Sequence, residues 1–228
     1  MAGEGADIID LGGESSRPGA RPVSLKEELS RVIPVLKKIV RKVKVPVSVD
    51  TQKPEVAKAA LDSGASIIND ISGLRNNDMA KIIARHNAAV VIMHMQGNPR
   101  TMQVKPSYSN LMDDIYAILS LAIKKALDFG IRQENIIIDP GIGFGKTVED
   151  NLEILKRLSE LKSLNSPILV GVSRKSFIGK ITGCGVNDRL AGTLASCVLA
   201  RINGADIFRV HDVKEARQAL LVTNRIIE

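Results

Sequence analysis

The sequence predicts an α/β fold built on a parallel sheet, and three observations point there. Apolar runs rich in Ile and Val recur along the 228 residues. Longer segments with helical periodicity separate them, and nearly every apolar run ends in polar or charged residues. Regular alternation of this kind marks βαβ units around a sheet covered on both faces. One barrel domain takes about 200 to over 400 residues, and no repeat, low-complexity tract or Pro/Ser-rich linker divides the chain. A single domain over residues 1–228 is therefore expected.

The chain opens in what reads as a helix tail, stopped by Gly3 and Gly5, and runs straight into a first strand, Asp7 to Leu11. Further strands are expected at Val47 to Val49, Ile67 to Ile68, Val90 to Met93, Ile136 to Ile138, Ile168 to Val172 and Ile207 to Val210. Helices are expected at Leu25 to Lys42, Pro54 to Ser63, Met79 to His86, Leu111 to Phe129, Val148 to Lys162, Asp188 to Ile202 and Lys214 to Ile227. Pro54 near a helix start, with Gly64, Gly130 and Gly204 just past helix ends, follows the Pro-first, Gly-last asymmetry of helices. Seven strands fit either an open doubly wound sheet or an eight-stranded barrel whose first strand is absent from this chain.

Composition narrows the function classes. Hydrophobic residues make up 44% and charged residues 25%, and no apolar run approaches the ~18 residues that indicate a membrane span. The opening MAGEGADIID lacks the basic start and apolar stretch of a secretory signal, so a cytoplasmic protein is expected. Cys184 and Cys197 are too few for a disulfide framework and lack the Cys/His company of a zinc site. The net charge of +7 is compatible with nucleic acid, an acidic membrane surface or a small anion. The densest basic run, Lys37 to Lys44, is interleaved with Ile and Val as on the solvated face of an amphipathic helix. Aromatics amount to 3% with no Trp, which leaves few stacking platforms for single-stranded nucleic acid. An anionic metabolite is the better expectation.

The strand ends carry the chemistry. In order they are Glu14-Ser15-Ser16-Arg17, Asp50-Thr51, Asn69-Asp70, His94, Asp139, Ser173-Arg174-Lys175 and Arg209-Val210-His211-Asp212. Ligands of parallel α/β folds bind at the carboxyl ends of strands, so these groups should converge on one mouth. Any single Asp or Asn there could equally be a cap or turn former. Jointly, Asp50, Asp139, Arg174, Lys175, Arg209 and His211 sharing one concave space is the site expectation.

Asp139 to Thr147, DPGIGFGKT, ends like a phosphate-binding loop but is not one. Pro140 stands where the Walker pattern needs Gly, and Lys146 where the dinucleotide pattern does. Its glycines still let the backbone approach a flat ligand, with Asp139 placed to bind the ligand edge. His94 lacks HxH or HExxH spacing and is not expected to hold a metal; Met93 is expected to wall the pocket, and His86 to lie on the surface near a helix end.

Taken in order, GADIIDLGGESSRPGA, VPVSVDT, SIINDISG, VVIMHMQGNPRTMQ, IIIDPGIGFGKT, ILVGVSRKSFIG and RVHDV resemble the successive signature segments of dihydropteroate synthases. The resemblance runs from about Gly5 to Asp212. It implies a (β/α)8 TIM barrel and an enzyme that joins 6-hydroxymethyl-7,8-dihydropterin diphosphate to p-aminobenzoate. Diphosphate is released, 7,8-dihydropteroate forms in folate biosynthesis, and the enzyme is a sulfonamide target. By resemblance, Asp139, Asn69, Asp50 and Lys175 bind the pterin, with Met93, Gly143 and Phe144 around it. Ser16, Arg17, Arg209 and His211 take the diphosphate, with Mg2+ as cofactor. Ser16, Arg17, Pro18, Phe144, Lys175 and Ser176 form the p-aminobenzoate pocket. The implied mechanism is dissociative, with Asp50, Lys175, Arg209 and His211 as catalytic residues. A homodimer without nucleic-acid or membrane partners is implied.

Two departures stand out: Ser16 replaces the usual Thr, and the family's opening strand and Asn-containing loop, which carries the Mg2+-binding Asn, have no counterpart. No metal ligand is therefore assigned in this chain, which is expected to bind pterin but to turn over poorly. The rival readings are a pterin-binding methyltransferase domain using methyltetrahydrofolate and a non-catalytic pterin-binding fragment.

Overall fold

The computed structural model describes every residue except Pro18, Asn98, Arg100, Gln103 and Lys105. Its strands are β1 (Ile9–Gly12), β2 (Val47–Asp50), β3 (Ile67–Asp70), β4 (Ala89–Met93), β5 (Ile136–Asp139), β6 (Leu169–Val170) and β7 (Ile207–Phe208). The helices are α1 (Leu25–Ile39), α2 (Pro54–Asp62), α3 (Asn77–Arg85), α4 (Leu111–Asp128), α5 (Val148–Arg157), α6 (Ser176–Thr182), α7 (Leu190–Ile202) and α8 (Val213–Ile227). β1 to β5 form one sheet in chain order, every neighbour parallel. A bridge between Ile138 and Ile168 continues the order to the parallel pair β6–β7. All these strands therefore point their carboxyl ends the same way. The fold is the α/β TIM-barrel type, with seven strands among the described residues.

Period two places alternate side chains inside and outside the barrel. Ile68, Val90, Ile92, Ile136, Ile138 and Val170 face the helices and join the main apolar core with Val32, Leu36, Met79, Ile115 and Cys197. Ile67, Val91, Ile137 and Leu169 face inward and fill the barrel as a separate cluster. One step of two further along each strand come the inward Asp50, Asn69, Met93 and Asp139. The floor of the mouth is thus apolar and its rim polar.

Several boundaries differ from the sequence reading. Asp7 lies outside β1, where it pairs with Arg217 of α8. β6 and β7 shrink to two residues each, although the Arg209 N–H still donates to the Val170 carbonyl at 3.0 Å. α1 ends at Ile39, so Lys42 and Lys44 follow the helix instead of lying on it. The long helix after Thr147 changes at Leu158 into a 3-10 segment, Leu158–Leu164, capped by left-handed Asn165. α6 was not anticipated: seven residues with Gly179 inside are too short for helical periodicity to emerge. Of the two opening glycines, Gly5 ends a short 3-10 helix, Ala2–Glu4, in a left-handed conformation, whereas Gly3 lies inside that helix.

Candidate active site

A cavity of ≈ 620 Å³ runs along the barrel interior; Asp10, Ser16, Asn69, Met93, Asp139, Phe144, Lys175, Arg209 and His211 line it at the carboxyl ends of the strands, and Met1, Ala6, Asp206 and Asn224 line it at the opposite end. Met93 and Phe144, with Ile71, Met95 and Met102, form an apolar cluster along it. Asn69 is buried, and its Oδ1 has no hydrogen-bond partner among the described residues. A buried acceptor left unmatched costs about 1–3 kcal/mol, so this oxygen is poised for a ligand N–H.

Asp139, 7% exposed, ends β5 and accepts the Gly141 N–H at 2.7 Å. Burial pushes its carboxyl up, opposed by that N–H and by the charges of Lys175, Lys146 and Arg209. The glycine loop beyond it is clamped from below. Gly143 N–H donates to Asn151 Oδ1 at 2.6 Å, Tyr108 Oη donates to the Gly145 carbonyl at 2.6 Å, and Lys146 folds inward to be 3% exposed. Its Nζ lies 2.9 Å from His94 Nδ1 and donates to the Phe144 carbonyl at 3.0 Å. Burial pushes Lys146 down to about 7, although Asp139 pulls the other way. Burial and the neighbouring Lys146 charge push His94 down to about 3, so the neutral ring suits an Nδ1 that accepts a hydrogen bond from Lys146 Nζ.

Across the mouth, Arg209 bridges two carboxylates: Nε donates to Asp10 at 2.6 Å and Nη2 to Asp50 at 3.1 Å. Burial, then the Asp10 charge, raise the Asp50 carboxyl to about 7, against the pull of Arg209. Burial alone would lower Arg209, but Asp10 and Asp50 carry it upward. Lys175 Nζ sits 4.2 Å from the centre of the Phe144 ring. Burial pushes that amine down to about 8, against the attraction of Asp139. His211 Nδ1 lies 2.9 Å from Ser173 Oγ.

The structure thus brings Ser16, Asn69, Met93, Asp139, Phe144, Lys175, Arg209 and His211 to one cavity, with Asp50 bonded to Arg209 at its edge. Gly143 packs against Lys175, its α-carbon facing the lysine side chain. Arg17 and Ser176 are exposed and do not line the cavity, and Pro18 lies outside the described residues. Arg174 departs from its expected place. In a left-handed turn with φ 56°, it points away to grip Asp212 with Nε at 3.0 Å and Nη2 at 2.5 Å. Asp70 is a turn former, accepting the Ser72 and Leu74 N–H groups. Sequence reasoning missed Asp10, the burial of Lys146, and Glu28 and Lys53, which hold the strand-end Glu14 beneath the first loop. A carboxylate inside the apolar run IIDLGG was the available signal for Asp10.

A protein-family model described as "Pterin binding enzyme" matches residues 1–211. The dihydropteroate synthase of Synechocystis sp. is 46% identical over 228 residues, covering 99% of this chain and 79% of that protein. Among solved structures, the Yersinia pestis dihydropteroate synthase with a sulfonamide drug complex superposes with a TM-score of 0.97 at 41% identity, covering 100% of this chain and 82% of that one. The Thermus thermophilus enzyme in complex with 4-aminobenzoate gives 0.93 at 44% identity, covering 99% and 86%. In complex with 6HMPPP it gives 0.90 at 41% identity, covering 100% and 86%. With a family match over residues 1–211 and near-complete coverage of this chain by relatives above 40% identity, the protein belongs to the pterin-binding enzymes and, within them, to the dihydropteroate synthases, transferases of folate biosynthesis.

Proposed function

We propose that this chain binds the pterin ring of 6-hydroxymethyl-7,8-dihydropterin diphosphate on Asp139 and Asn69 and joins it to p-aminobenzoate. The carrying observation is Asn69 Oδ1, buried in the cavity wall without a partner among the described residues. An amino-pyrimidine edge offers the parallel N–H donors that Asp139 and Asn69 accept, and charge-assisted pairs of this type are the strong ones. Lys175 closes the ring's other side. Arg209 and His211 take the diphosphate, which competes with Asp10 and Asp50 for the guanidinium.

In the reaction proposed, the C–O bond to diphosphate breaks first and its electron pair leaves with the diphosphate. The p-aminobenzoate nitrogen then attacks the pterin-methyl cation and loses a proton. Asp50, once ionised, favours the cation; Arg209 and His211 favour the leaving group. Phe144 and Lys175 offer one wall for the p-aminobenzoate ring, and Ser16 and Arg17 its loop side. Magnesium is held in such sites by one or two carboxylates together with substrate phosphates. Among the described residues, Asp10 and Asp50 at the proposed diphosphate end are both engaged by Arg209, so neither is assigned to magnesium. No step is therefore routed through a metal.

The domain reading is one unit over residues 1–228, supported by a continuous apolar core from Val32 to Ala205. The two free cysteines favour a reducing cytoplasm, and no described helix is long and apolar enough to cross a membrane. A homodimer is supported by Leu199 and Ile202 on α7 and Leu221, Val222 and Ile226 on α8, all exposed. The deciding experiment measures dihydropteroate formation from pterin diphosphate and labelled p-aminobenzoate. Pterin binding that survives Asp139→Asn and Asn69→Ala together would remove the proposed ligand geometry.

A further inference from the structure

The carboxyl ends of β6 and β7 are tied together by two cross-strand contacts, and only one of them has an evident structural task. Arg174 grips Asp212 with two nitrogens, its own N–H donates to Thr193 Oγ1 at 3.0 Å, and Arg189 Nη1 donates to its carbonyl at 3.0 Å. This fixes the residue after Ser173 against the residue after His211. Between them, the His211 backbone N–H donates to Ser173 Oγ at 3.2 Å, and the same Oγ lies 2.9 Å from His211 Nδ1.

A serine hydroxyl has one proton to give and two lone pairs to receive. Ser173 is 6% exposed; one lone pair is taken by the His211 N–H, and the one acceptor within reach of its proton among the described residues is Nδ1. A hydroxyl that donates to Nδ1 requires that nitrogen to be unprotonated. We propose that Ser173 is the positioning residue of His211, locking the tautomer whose Nε2–H faces the cavity as a donor to the diphosphate. The opposite tautomer would turn a lone pair on phosphate oxygens. A doubly protonated ring would make Oγ accept twice and leave its own proton without an acceptor. Partial burial, with the nearby guanidiniums of Arg174, Arg209 and Arg17 outweighing Asp212, shifts the ring downward in the same direction.

The inference rests on the reading of His211 as a diphosphate ligand, and the two can fail separately. The chain contains three histidines, His86, His94 and His211, so the ring nitrogens can be assigned by NMR on the 15N-labelled chain. A pyridine-like Nδ1 and a pyrrole-like Nε2 are expected for His211. Ser173→Ala should mix the tautomers and weaken inorganic diphosphate binding by about tenfold, the loss of one charge-assisted hydrogen bond. Ser173→Thr should restore both readouts, and binding of a pterin lacking the diphosphate, measured in each variant, reports that the fold and the pterin end are intact. A wild-type His211 protonated at Nδ1 overturns the proposal. So does a Ser173→Ala variant with unchanged tautomer and affinity while His211→Gln binds diphosphate weakly. If His211→Gln itself binds diphosphate as well as wild type, the diphosphate assignment of His211 is what fails.

Discussion

Lys175 Nζ stands 4.2 Å over the centre of the Phe144 ring, so the lysine that lines the cavity and the cavity's aromatic wall are a single unit. A desolvated cation–π contact is worth up to about 2 kcal/mol. Phe144→Leu keeps the burial and removes the ring face. The expected outcome is a rise of roughly three- to thirtyfold in the KM for p-aminobenzoate, about 0.7–2 kcal/mol at tenfold per 1.4 kcal/mol. Steady-state kinetics with the pterin saturating would show it, and an unchanged KM would mean that the ring is only a spacer.

Asp139→Asn keeps the shape of the carboxylate and removes its charge. Hydrogen bonds to charged groups contribute about 1.5–3 kcal/mol, so pterin affinity should fall about tenfold to a hundredfold by calorimetry. Melting temperature should hold or rise, because burial already disfavours the ionised form. A loss of affinity below about threefold would place the pterin edge elsewhere.

Asp50 links pH to both activity and stability. Its carboxyl is raised from 3.8 to about 7, so the folded chain keeps this proton over a window in which the unfolded chain has released it. The group favours folding fully below about 3.8, and that contribution is lost as pH rises towards about 7. The charged form needed to favour a cation appears over the same window. kcat/KM should therefore climb with pH and level off above about 7. Asp50→Asn should abolish that limb with most of the turnover. At about pH 8 it should gain about 1–4 kcal/mol in denaturant unfolding, with each pKa unit worth about 1.4 kcal/mol and the weakened Arg209 pairing offsetting part. A kcat/KM independent of pH between about 5 and 8 would contradict the assignment.

Asp50, Asn69 and Asp139 were legible because each breaks an apolar run at the point where a strand must end, and period two then aims all three inward. Arg174 misled for the same reason: position along the chain puts it at the mouth, but its left-handed φ reverses the side chain towards Asp212. Lys146 could not be read at all. In GKT it looks like a surface lysine, and only the closure of the glycine loop over β4, brought by partners 52 residues apart, buries it beside His94. Periodicity alone reached the parallel α/β class; the choice of a barrel over an open sheet came from the motif resemblance, and the supporting contacts needed the tertiary structure.

That closure makes Gly141 the least replaceable position in the loop. Its φ is 73°, and an added Cβ would fall on the backbone carbonyl oxygen of His94, which cannot swing away as a side-chain tip could. Strain in a left-handed position costs about 1–3 kcal/mol before any clash. Gly141→Ala should cost at least about 3 kcal/mol in urea unfolding, whereas Gly130→Ala, with nothing within 4 Å, should lose only its conformational term. Equal losses at the two sites would mean that the loop relaxes freely.

The first loop is held by an ion cluster that converges on Lys53. Glu28, fully buried on α1, accepts from Thr51 Oγ1 at 2.6 Å and from Lys53 Nζ at 2.5 Å, while the same Nζ also donates to Glu14 of the loop. Removing one partner of a buried pair strands the other charge, at a cost of about 3–5 kcal/mol. Lys53→Met should lose about that much stability in denaturant unfolding at neutral pH. A double variant, Lys53→Met with Glu28→Gln, should recover most of the loss because no charge is left stranded. It should not recover the loop: with Glu14 released, the Gly12 to Gly19 segment loses its tether, and the KM for p-aminobenzoate should stay raised in both variants. Recovery of stability and KM together would show that Glu28, and not the tether to Glu14, is what the loop depends on.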